Sequence, residues 1–310
     1  MNIIAELCQN HNGSTDHLFE MIESAKQGGA THAKIQALYS DELVFRPQFE
    51  NYQFSRFGMY RPFNLELERL QKLDLSFEDE VRFVGKCLEV GIIPMITVFT
   101  NTGVKRARKA GFKSIKIASY DSTNVPLIDS VLSFTENLFI STGATSINEL
   151  KFLCDFLTKS KPDCKITLLH CKTEYPNKLE SVNLNRMIWL KDFGFPVGFS
   201  DHSATFNDEF IRIESRNLPS KIAIHLGADV LERHFTIFKP NETKDGKISI
   251  LNDDLSDLVN FSKLNTHEQK MYLEQFLNEY ESILGSNNFE PSVEEWWNRS
   301  YYKGRVQSKF

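Results

Sequence analysis

Two lysines lie within short apolar segments, where a charged side chain needs a partner. Lys34 belongs to the string A-K-I-Q and Lys116 to K-I-A-S-Y-D. For either lysine alone, an ordinary buried ion pair is the simpler interpretation. Together with the hydroxyl groups of Ser119, Ser141 and Thr142, the two ammonium groups would suit a ligand that carries a phosphate and a carboxylate. The combination favours a ligand, because each polar group left buried and unpaired costs roughly 1–3 kcal/mol.

Two histidines form a second candidate site. His202 and His234 each follow an apolar segment, and these two segments come one after the other along the chain. If the segments are consecutive strands, both imidazoles can reach one divalent metal, with Asp201, Glu6 or water as further ligands. Such mixed ligation suits Mn, Fe or Co better than a closed structural zinc site, although zinc stays open. The alternative is that both histidines are hydrogen-bonded core residues.

The segments that must position these groups alternate between strand and helix patterns. Helical stretches with cap signals lie between the strands and commonly end at glycine. Eight such units predict an α/β protein, a closed (β/α)₈ TIM barrel whose strands present their carboxyl ends around one mouth. The predicted strands are Asn2–Leu7, Ala33–Leu38, Ile92–Val98, Ser114–Ala118, Leu138–Ser141, Ile166–His170, Val197–Ser200 and Val230–Glu232.

Three regions depart from this regular repeat. The segment Tyr39–Leu75 is too long for an ordinary loop after the second strand and predicts a lid or rim hairpin, unless it is only a surface elaboration. The charged stretch Asp208–Arg216 predicts a helix, and Asp253–Leu284 predicts one or two closing helices. We therefore expect a TIM-barrel catalytic domain over residues 1–290 and a polar, aromatic tail over residues 291–310.

The bulk composition argues against several classes of protein. The 310 residues carry a formal net charge of -5, which provides no basic face for nucleic acid and no polybasic patch for a membrane. The five cysteines are scattered and never form C-x-x-C, which argues against a disulfide framework. No basic leader precedes the first strand, and no apolar run approaches the ~20 residues needed to span a bilayer. We expect a cytoplasmic protein with small-molecule substrates and no nucleic-acid or membrane partner, and a homodimer is left open.

Eight strings, in order along the chain, carry a family resemblance. From Ile3 to about Arg305 the chain resembles the N-acetylneuraminate (sialic acid) synthase family, which includes legionaminate and pseudaminate synthases. The resemblance implies a TIM-barrel enzyme that condenses phosphoenolpyruvate with an N-acyl amino-sugar aldehyde to give a nonulosonate and phosphate. The strings are A-E-L-C-Q-N-H-N-G (5–13), A-K-I-Q (33–36), K-I-A-S-Y-D (116–121), S-T-G-A (141–144), L-L-H-C-K-T-E-Y-P (168–176), V-N-L-N (182–185), P-V-G-F-S-D-H-S (196–203) and L-G-A-D-V-L-E-R-H-F-T (226–236).

The resemblance also implies roles for individual residues. The family's metal-binding histidines correspond to His202 and His234, and Mn²⁺ or Mg²⁺ is the expected ion. Its sugar-contacting groups correspond to Gln36, Tyr175 and Asp245. The phosphoenolpyruvate-binding groups correspond to Lys34, Thr97, Lys116, Ser119, Ser141, Thr173 and Ser200.

The mechanism implied by the resemblance fits these groups. The metal would polarise the aldehyde oxygen, C3 of phosphoenolpyruvate would attack the aldehyde carbon, and water would trap the cation that develops at C2 before phosphate leaves. Lys34 and Lys116 would hold the phosphate and carboxylate. We expect Glu6 and Asp121 to steer protons and water.

The chain departs from the family pattern in three places. Many members continue into a small antifreeze-protein-like domain that gives an arginine to the sugar's N-acyl group in the partner subunit. This chain stops about where the linker would begin, so we expect that domain to be absent and its contact to be missing unless another protein supplies it. Asp121 stands where the family usually has glutamate. The stretch between His202 and His234 is longer than the family norm, which leaves the acceptor open.

Other functions stay open on the residues alone. Lysine is the nucleophile of Schiff-base aldolases, so an aldolase, or another phosphoenolpyruvate-condensing enzyme that makes a different keto-sugar acid, is the first alternative. A barrel without turnover that serves as a partner protein is the second. A hydrolase triad of Ser200, Asp201 and His202 is disfavoured, because adjacent residues of a strand point to opposite faces and G-x-S-x-G is absent. The metal route is preferred because an aldolase needs no converging histidines.

Overall fold

Eight parallel strands, paired in sequence order and closed by pairing of the first with the last, form the centre of the molecule. The computed structural model describes residues 1–51, 60–160 and 162–308. All eight predicted strands are present with ends moved by one or two residues, and the predicted (β/α)₈ barrel is confirmed. The strands are β1 Asn2–Cys8, β2 His32–Ala37, β3 Ile93–Val98, β4 Ser114–Ile117, β5 Asn137–Ser141, β6 Lys165–Cys171, β7 Val197–Asp201 and β8 Val230–His234.

Helices connect the strands and cover the outside of the barrel. The helix Phe77–Val90 begins with a capping box, in which Ser76 and Asp79 bond each other's backbone N–H groups, and it ends at Gly91, whose φ of 74° favours glycine. No helix in the described residues is long and apolar enough to cross a bilayer. The helices are α1 Thr15–Gln27, α2 Phe63–Gln71, α3 Phe77–Val90, α4 Asn101–Ala110, α5 Val125–Leu132, α6 Ile147–Ser160, α7 Leu184–Leu190, α8 Leu218–His225, α9 Asn252–Lys263, α10 Thr266–Leu273, α11 Leu277–Leu284 and α12 Val293–Tyr302.

Successive side chains of each strand face opposite sides of the barrel wall. In β2, Ala33 and Ile35 belong to the apolar layer between strands and helices, whereas Lys34 and Gln36 line a cavity inside the barrel. Deeper inside the barrel, a second apolar cluster lies below these polar groups and is formed by Ile4, Met95, Phe139, Leu169 and Val230. The polar groups at the carboxyl ends of the strands are therefore held above an apolar layer.

The stretch Asp208–Arg216 is not a helix, so that prediction was wrong. It consists of turns and irregular backbone next to an antiparallel bridge between Phe206 and Arg212. The Asn207 side chain accepts hydrogen bonds from the backbone N–H groups of Glu209 (3.0 Å) and Ile211 (2.8 Å). Such local side-chain bonds compete with helical hydrogen bonding. The one or two closing helices expected after β8 are three, α9 to α11.

The residues after 290 pack against the barrel. Glu295 of α12 accepts a hydrogen bond from the backbone N–H of Ala144 (3.1 Å) and pairs with Lys172. Arg299 pairs with Glu149 of α6 at 2.5 Å. The domain boundary at residue 290 stays a prediction.

The predicted lid over Tyr39–Leu75 is only partly described. Its residues 52–59 lie outside the described part of the chain. The remainder forms two short 3₁₀ turns, Ser40–Glu42 and Pro47–Phe49, followed by α2. The described part is therefore not a hairpin.

A buried ion pair ties β7 to β8 on the helix side of the barrel wall. Arg233 and Asp201 are both 0% exposed, and their charged groups are 2.8 Å apart. Arg233 also donates to the hydroxyls of Ser203 and Thr205, at 3.0 Å each, and Asp201 accepts from the hydroxyl of Ser220 of α8 at 2.6 Å. Asp201 is thus held by structural contacts and does not line the central cavity.

Removing this carboxylate should destabilise the fold strongly. In Asp201→Ala, Arg233 would keep a fully buried charge without its counterion, which costs about 3–5 kcal/mol of unfolding free energy. The matched control is Asp253→Ala, because Asp253 is 64% exposed and pairs with Arg212 near the surface, where such a pair contributes at most about 1 kcal/mol. Equal losses in urea denaturation of the two variants would contradict the structural role of Asp201.

Candidate active site

A cavity of about 360 Å³ opens among the carboxyl ends of the strands. Strand-end polar groups from around the whole barrel face into it, as the barrel geometry requires. Twelve of the predicted site residues line this cavity: Glu6, Lys34, Gln36, Thr97, Lys116, Ser119, Asp121, Ser141, Tyr175, His202, His234 and Asp245.

Two lysines and two glutamates form a buried ion-pair network in the cavity wall. Lys34 pairs with Glu6, and its Nζ lies 3.5 Å from Oε2 of Glu232. Lys116 pairs with the other oxygen of Glu232. Strand register brings these groups together, because Glu6 stands opposite Lys34 of β2 on one side and His234 of β8 on the other. The two lysines can be buried because each has a carboxylate partner.

Burial changes the acid–base behaviour of this network. It lowers the pKa of Lys34 to about 7, against the opposing attraction of Glu232. Burial alone would raise the pKa of Glu232, but the ammonium groups of Lys116 and Lys34 hold that pKa well below its ordinary value. Glu232 is therefore ionised at neutral pH, and Lys34 is close to the midpoint of its titration. A bound anion would stabilise the protonated form of Lys34.

Hydroxyl groups of the β4 and β5 ends extend the polar wall. The buried Ser141 Oγ has no hydrogen-bond partner among the described residues. Ser119 Oγ accepts a hydrogen bond from the Gly143 N–H (3.1 Å) and lies 3.0 Å from Cys171 Sγ. A side chain at position 143 would collide with Cys171, because a Cβ there would lie 2.7 Å from Sγ. The unpartnered Ser141 hydroxyl marks a point where a ligand can form a hydrogen bond.

Three predicted hydroxyl groups face other parts of the protein. Ser200 Oγ donates to Glu232 at 2.7 Å and so supports the ion-pair network. The Thr173 hydroxyl lies 3.5 Å from Glu295 of α12, whose carboxylate also accepts from the Thr173 backbone N–H at 3.3 Å. The Thr142 hydroxyl donates to a backbone carbonyl of β6 at 3.1 Å. None of the three lines the cavity.

Cys8, His234 and Asp245 offer three potential metal ligands that lie within 4.8 Å of one another. His234 is 7% exposed, and its Nδ1 has no hydrogen-bond partner among the described residues, with Asp245 Oδ2 at 3.5 Å. Cys8 has a positive φ of 48° at a point where the β1–β2 register shifts. This unusual backbone continues β1 while its side chain lines the cavity. A sulfur, a nitrogen and a carboxylate at this spacing fit a divalent metal.

His202 faces the same cavity from the end of β7. Its ring centroid lies 5.4 Å from that of His234 and 4.4 Å from that of Tyr175. Burial, assisted by the nearby His234, lowers the pKa of His202 to about 3, so the imidazole is neutral at neutral pH. Its Nδ1 lies 2.7 Å from the carbonyl oxygen of Lys172. Donation from Nδ1 leaves the Nε2 lone pair available, which is the usual arrangement for a histidine that binds metal.

Asp121 lines the cavity from the turn after β4. Burial raises its pKa to about 6, although a hydrogen bond from Asn124 opposes the shift. Asp121 is therefore mostly ionised at neutral pH, but it takes up a proton more readily than an ordinary aspartate. Such a group can accept and return a proton near neutrality.

Several residues of the cavity were not predicted from the sequence. Glu232 lies at a predicted strand end, so the strand-end rule could have assigned it a role. Cys8 directly follows the predicted end of the first strand, but only its positive φ shows why it reaches the cavity. Arg61, Lys244 and Arg305 also line the cavity. They lie outside the strands, so no sequence pattern marked them as cavity residues.

Comparisons with known proteins agree with the fold and identify the family. The chain belongs to the NeuB family, whose sequence profile matches residues 21–271. The N,N'-diacetyllegionaminic acid synthase of Legionella pneumophila is 30% identical over 298 residues, which cover 94% of this chain and 76% of that protein. The family resemblance inferred from the sequence strings is therefore confirmed.

Solved structures show the same architecture. The spore coat polysaccharide biosynthesis protein SpsE of Bacillus subtilis superposes with a TM-score of 0.73 at 25% identity, over 95% of this chain and 75% of that one. The N-acetylneuraminic acid synthetase of Leptospira borgpetersenii superposes with a TM-score of 0.69 at 24% identity, over 96% of this chain and 90% of that one. At that identity, the second likeness shows the fold alone.

Two serines of the site should respond differently to loss of the hydroxyl group. Ser141→Ala removes no hydrogen bond within the described protein, so we expect the free energy of unfolding to stay within about 0.5 kcal/mol of the parent. Ser200→Ala removes a hydrogen bond to the buried Glu232 carboxylate, which should cost about 1.5–3 kcal/mol. Denaturation at neutral pH without ligands checks both values. A large loss in Ser141→Ala would mean that its hydroxyl has a structural partner.

Proposed function

We propose that the protein condenses phosphoenolpyruvate with an N-acyl amino-sugar aldehyde to give a sialic-acid-type nonulosonate and phosphate. Family membership supports the class of reaction, and the Legionella relative is named as a synthase of such an acid. The observation that carries the proposal is the cavity itself. Its wall holds two paired lysines, an unpartnered Ser141 hydroxyl and the unpartnered Nδ1 of His234.

The anionic substrate would bind at the lysine side of the cavity. Lys116 and Lys34 would hold the phosphate and carboxylate of phosphoenolpyruvate, and Ser119 and Ser141 would donate hydrogen bonds to them. Thr97 is already 3.0 Å from Lys34 Nζ, so it would orient that ammonium group. Ser200 and Thr173, which lie outside the cavity, would act only by positioning Glu232 and the wall beside α12.

A divalent metal would bind at the histidine side. His234, Asp245 and Cys8 are close enough to hold it together, and His202 faces them with a neutral ring. When bound, the ion would supply a Lewis acid for the aldehyde oxygen. With Cys8 as a ligand the site would favour Fe²⁺, Co²⁺ or Zn²⁺, whereas the Mn²⁺ or Mg²⁺ expected from the sequence suits nitrogen and oxygen ligands.

The acceptor sugar would lie between these two sides. Gln36 stands two residues beyond Lys34 on the same face of β2, and Tyr175 packs on the His202 ring. These groups would orient the open-chain sugar so that its aldehyde carbon meets C3 of phosphoenolpyruvate. A carbon–carbon bond then forms, water adds at C2, and cleavage of the C2–O bond releases inorganic phosphate. Asp121 would accept the proton of the attacking water, and Glu6 would keep Lys34 in place.

A Schiff-base aldolase is the second candidate, favoured by one observation. The lowered pKa of Lys34, about 7, would leave much of this amine neutral and nucleophilic near neutral pH. Against it, Lys34 is held between two carboxylates, and the histidine side of the cavity would have no use. The cytoplasmic location and the homodimer stay predictions.

Phosphate release from phosphoenolpyruvate tests the proposed reaction. We expect release only with an N-acyl amino sugar present, and we expect EDTA to abolish it because the aldehyde would lose its Lewis acid. Turnover with pyruvate that resists EDTA and is trapped by borohydride would instead establish the aldolase. No release across a panel of N-acyl hexosamines with each of Mn²⁺, Mg²⁺, Fe²⁺, Co²⁺ and Zn²⁺ would refute catalysis of this kind.

Metal content tests the ligand assignment without relying on turnover. His234→Ala should lose bound Co²⁺ in equilibrium dialysis while its melting temperature in metal-free buffer stays close to that of the parent, because Nδ1 makes no hydrogen bond within the described protein. The matched control is His267→Ala, since His267 is exposed at the start of α10. Full metal occupancy in His234→Ala would exclude this residue as a ligand.

The sulfur ligand has its own spectroscopic signature. The Co²⁺ form of the parent should show a thiolate-to-cobalt charge-transfer absorption, which should vanish in Cys8→Ser and persist in Cys87→Ser, where the cysteine is buried in α3 away from the cavity. A parent spectrum without that absorption would show that Cys8 does not bind the metal.

A further inference from the structure

The end of the described chain crosses the mouth of the barrel. We call residues 302–308 the C-terminal strap. Val306 of the strap forms an antiparallel bridge with Leu43, which follows β2. The backbone N–H of Val44 donates to the Arg305 carbonyl, and that of Gln307 to the Glu42 carbonyl, at 3.0 Å each. These bonds fix the strap at Arg305 and at the two residues after it, so the position of the Arg305 side chain is set by backbone pairing.

The Arg305 side chain points from the strap into the cavity wall. It is 7% exposed, lines the cavity, and lies with its guanidinium 4.9 Å from the ring centre of Tyr302. One of its nitrogens is 3.2 Å from Oε1 of Glu66. Both oxygens of Glu66 already accept hydrogen bonds from Arg69, at 2.8 and 2.9 Å. Because a guanidinium has five N–H donors, this single shared contact leaves Arg305 donors for a ligand.

Positive charge is in excess at this part of the cavity. Arg61, Lys244 and Arg305 all line it, and Arg69 lies directly behind. Glu66 binds Arg69 and Arg305, and Asp121 and Asp245 line the same cavity. Among the described residues, four cations therefore face three carboxylates here.

The lysine side of the cavity has a different charge balance. There Lys34 and Lys116 are matched by Glu6 and Glu232, all in direct contact. Among the described residues, the excess of positive charge therefore lies near the strap and not beside Lys34 and Lys116. Any anionic group that enters the cavity beyond phosphoenolpyruvate would be attracted towards the strap.

We propose that Arg305, Lys244 and Arg61 form a second anion subsite, which binds a phosphate monoester at the end of the acceptor sugar remote from its aldehyde. Three cations, one of them a guanidinium with free donors, match a dianion better than a neutral hydroxyl group. This inference rests on the proposed function, because it assigns the acceptor of that reaction.

Calorimetric binding of two probes, without phosphoenolpyruvate, tests the subsite. The probes are N-acetylmannosamine and N-acetylmannosamine 6-phosphate, each titrated into the full chain in the presence of Mn²⁺. We expect the parent to bind the phosphate ester at least about tenfold more tightly, because only the ester can accept charged hydrogen bonds from these cations. Arg305→Gln and Lys244→Gln should each lose most of that preference.

Two control variants show whether the preference belongs to these three cations. Arg108→Gln removes an exposed arginine of α4 and should keep the preference, which excludes a general charge effect. Lys116→Met removes a cation from the lysine side of the cavity and should also keep the preference for the phosphate ester.

Misfolding of a variant is controlled separately. Lys244 makes no hydrogen bond or ion pair within the described protein, and much of its side chain is exposed. Lys244→Gln should therefore fold like the parent even if Arg305→Gln loosens the strap. Melting curves of each variant verify the fold before the titrations are compared.

Three outcomes would overturn the subsite. They are equal affinity for the two probes in the parent, no measurable binding of the phosphate ester, and a preference that survives in Arg305→Gln but disappears in Lys116→Met. The last result would place the phosphate group of the ester beside Lys34 and Lys116. Because no turnover is measured, these outcomes are independent of whether phosphoenolpyruvate is consumed, and a failure of the subsite can be told apart from a failure of the proposed reaction.

Discussion

One carboxylate, that of Glu232, holds the two charged lysines of the cavity together. Its Oε1 contacts both Lys116 and Ser200, and its Oε2 lies 3.5 Å from Lys34 Nζ. In a closed parallel barrel the register of neighbouring strands is fixed by continuous hydrogen bonding, so β8 can present Glu232 to lysines of β2 and β4 only across the barrel interior. Without that pairing, burying two lysine side chains above an apolar layer would be much more costly. The arrangement of the rest of the cavity follows from it.

The cavity has three chemically distinct parts. The lysine side is balanced internally, so a bound anion must share cations that already have partners. The histidine side contains groups that the described protein leaves without hydrogen bonds, the His234 Nδ1 above all. The strap side has more cations than carboxylates. An anionic enol ester, a divalent metal and the far end of a sugar would each find a different part suited to it, within about 360 Å³.

Sequence patterns predicted the barrel and most of the cavity for a simple physical reason. Strands alternate their side chains with a period of two, and parallel strands in a barrel share one rim, so Lys34, Lys116 and His234 could be placed together without knowledge of their contacts. The same rule predicts which side chains face the barrel interior, but it does not predict which partner a hydroxyl group will bond. Ser200 and Thr173 therefore fell on the correct strand ends but bond to neighbouring carboxylates.

The failures arise where tertiary contacts decide the structure. The charges of Asp208–Arg216 have a helical spacing, but the Asn207 side chain captures the local backbone N–H groups. Arg305 reaches the cavity only because residues 305–307 pair with the chain after β2, a contact between segments more than two hundred positions apart. Cys8 enters through a positive φ at a register shift. None of these has a local sequence signal.

An anion and a metal should occupy opposite sides of one cavity. A crystal structure of the protein soaked with phosphoenolpyruvate and Mn²⁺, with anomalous data for the metal, measures this directly. We expect phosphoenolpyruvate against Lys116, Lys34 and Ser141, and an anomalous peak bonded to His234 and Asp245. Phosphoenolpyruvate bound at the strap, or a metal bound away from the histidines, would contradict this arrangement.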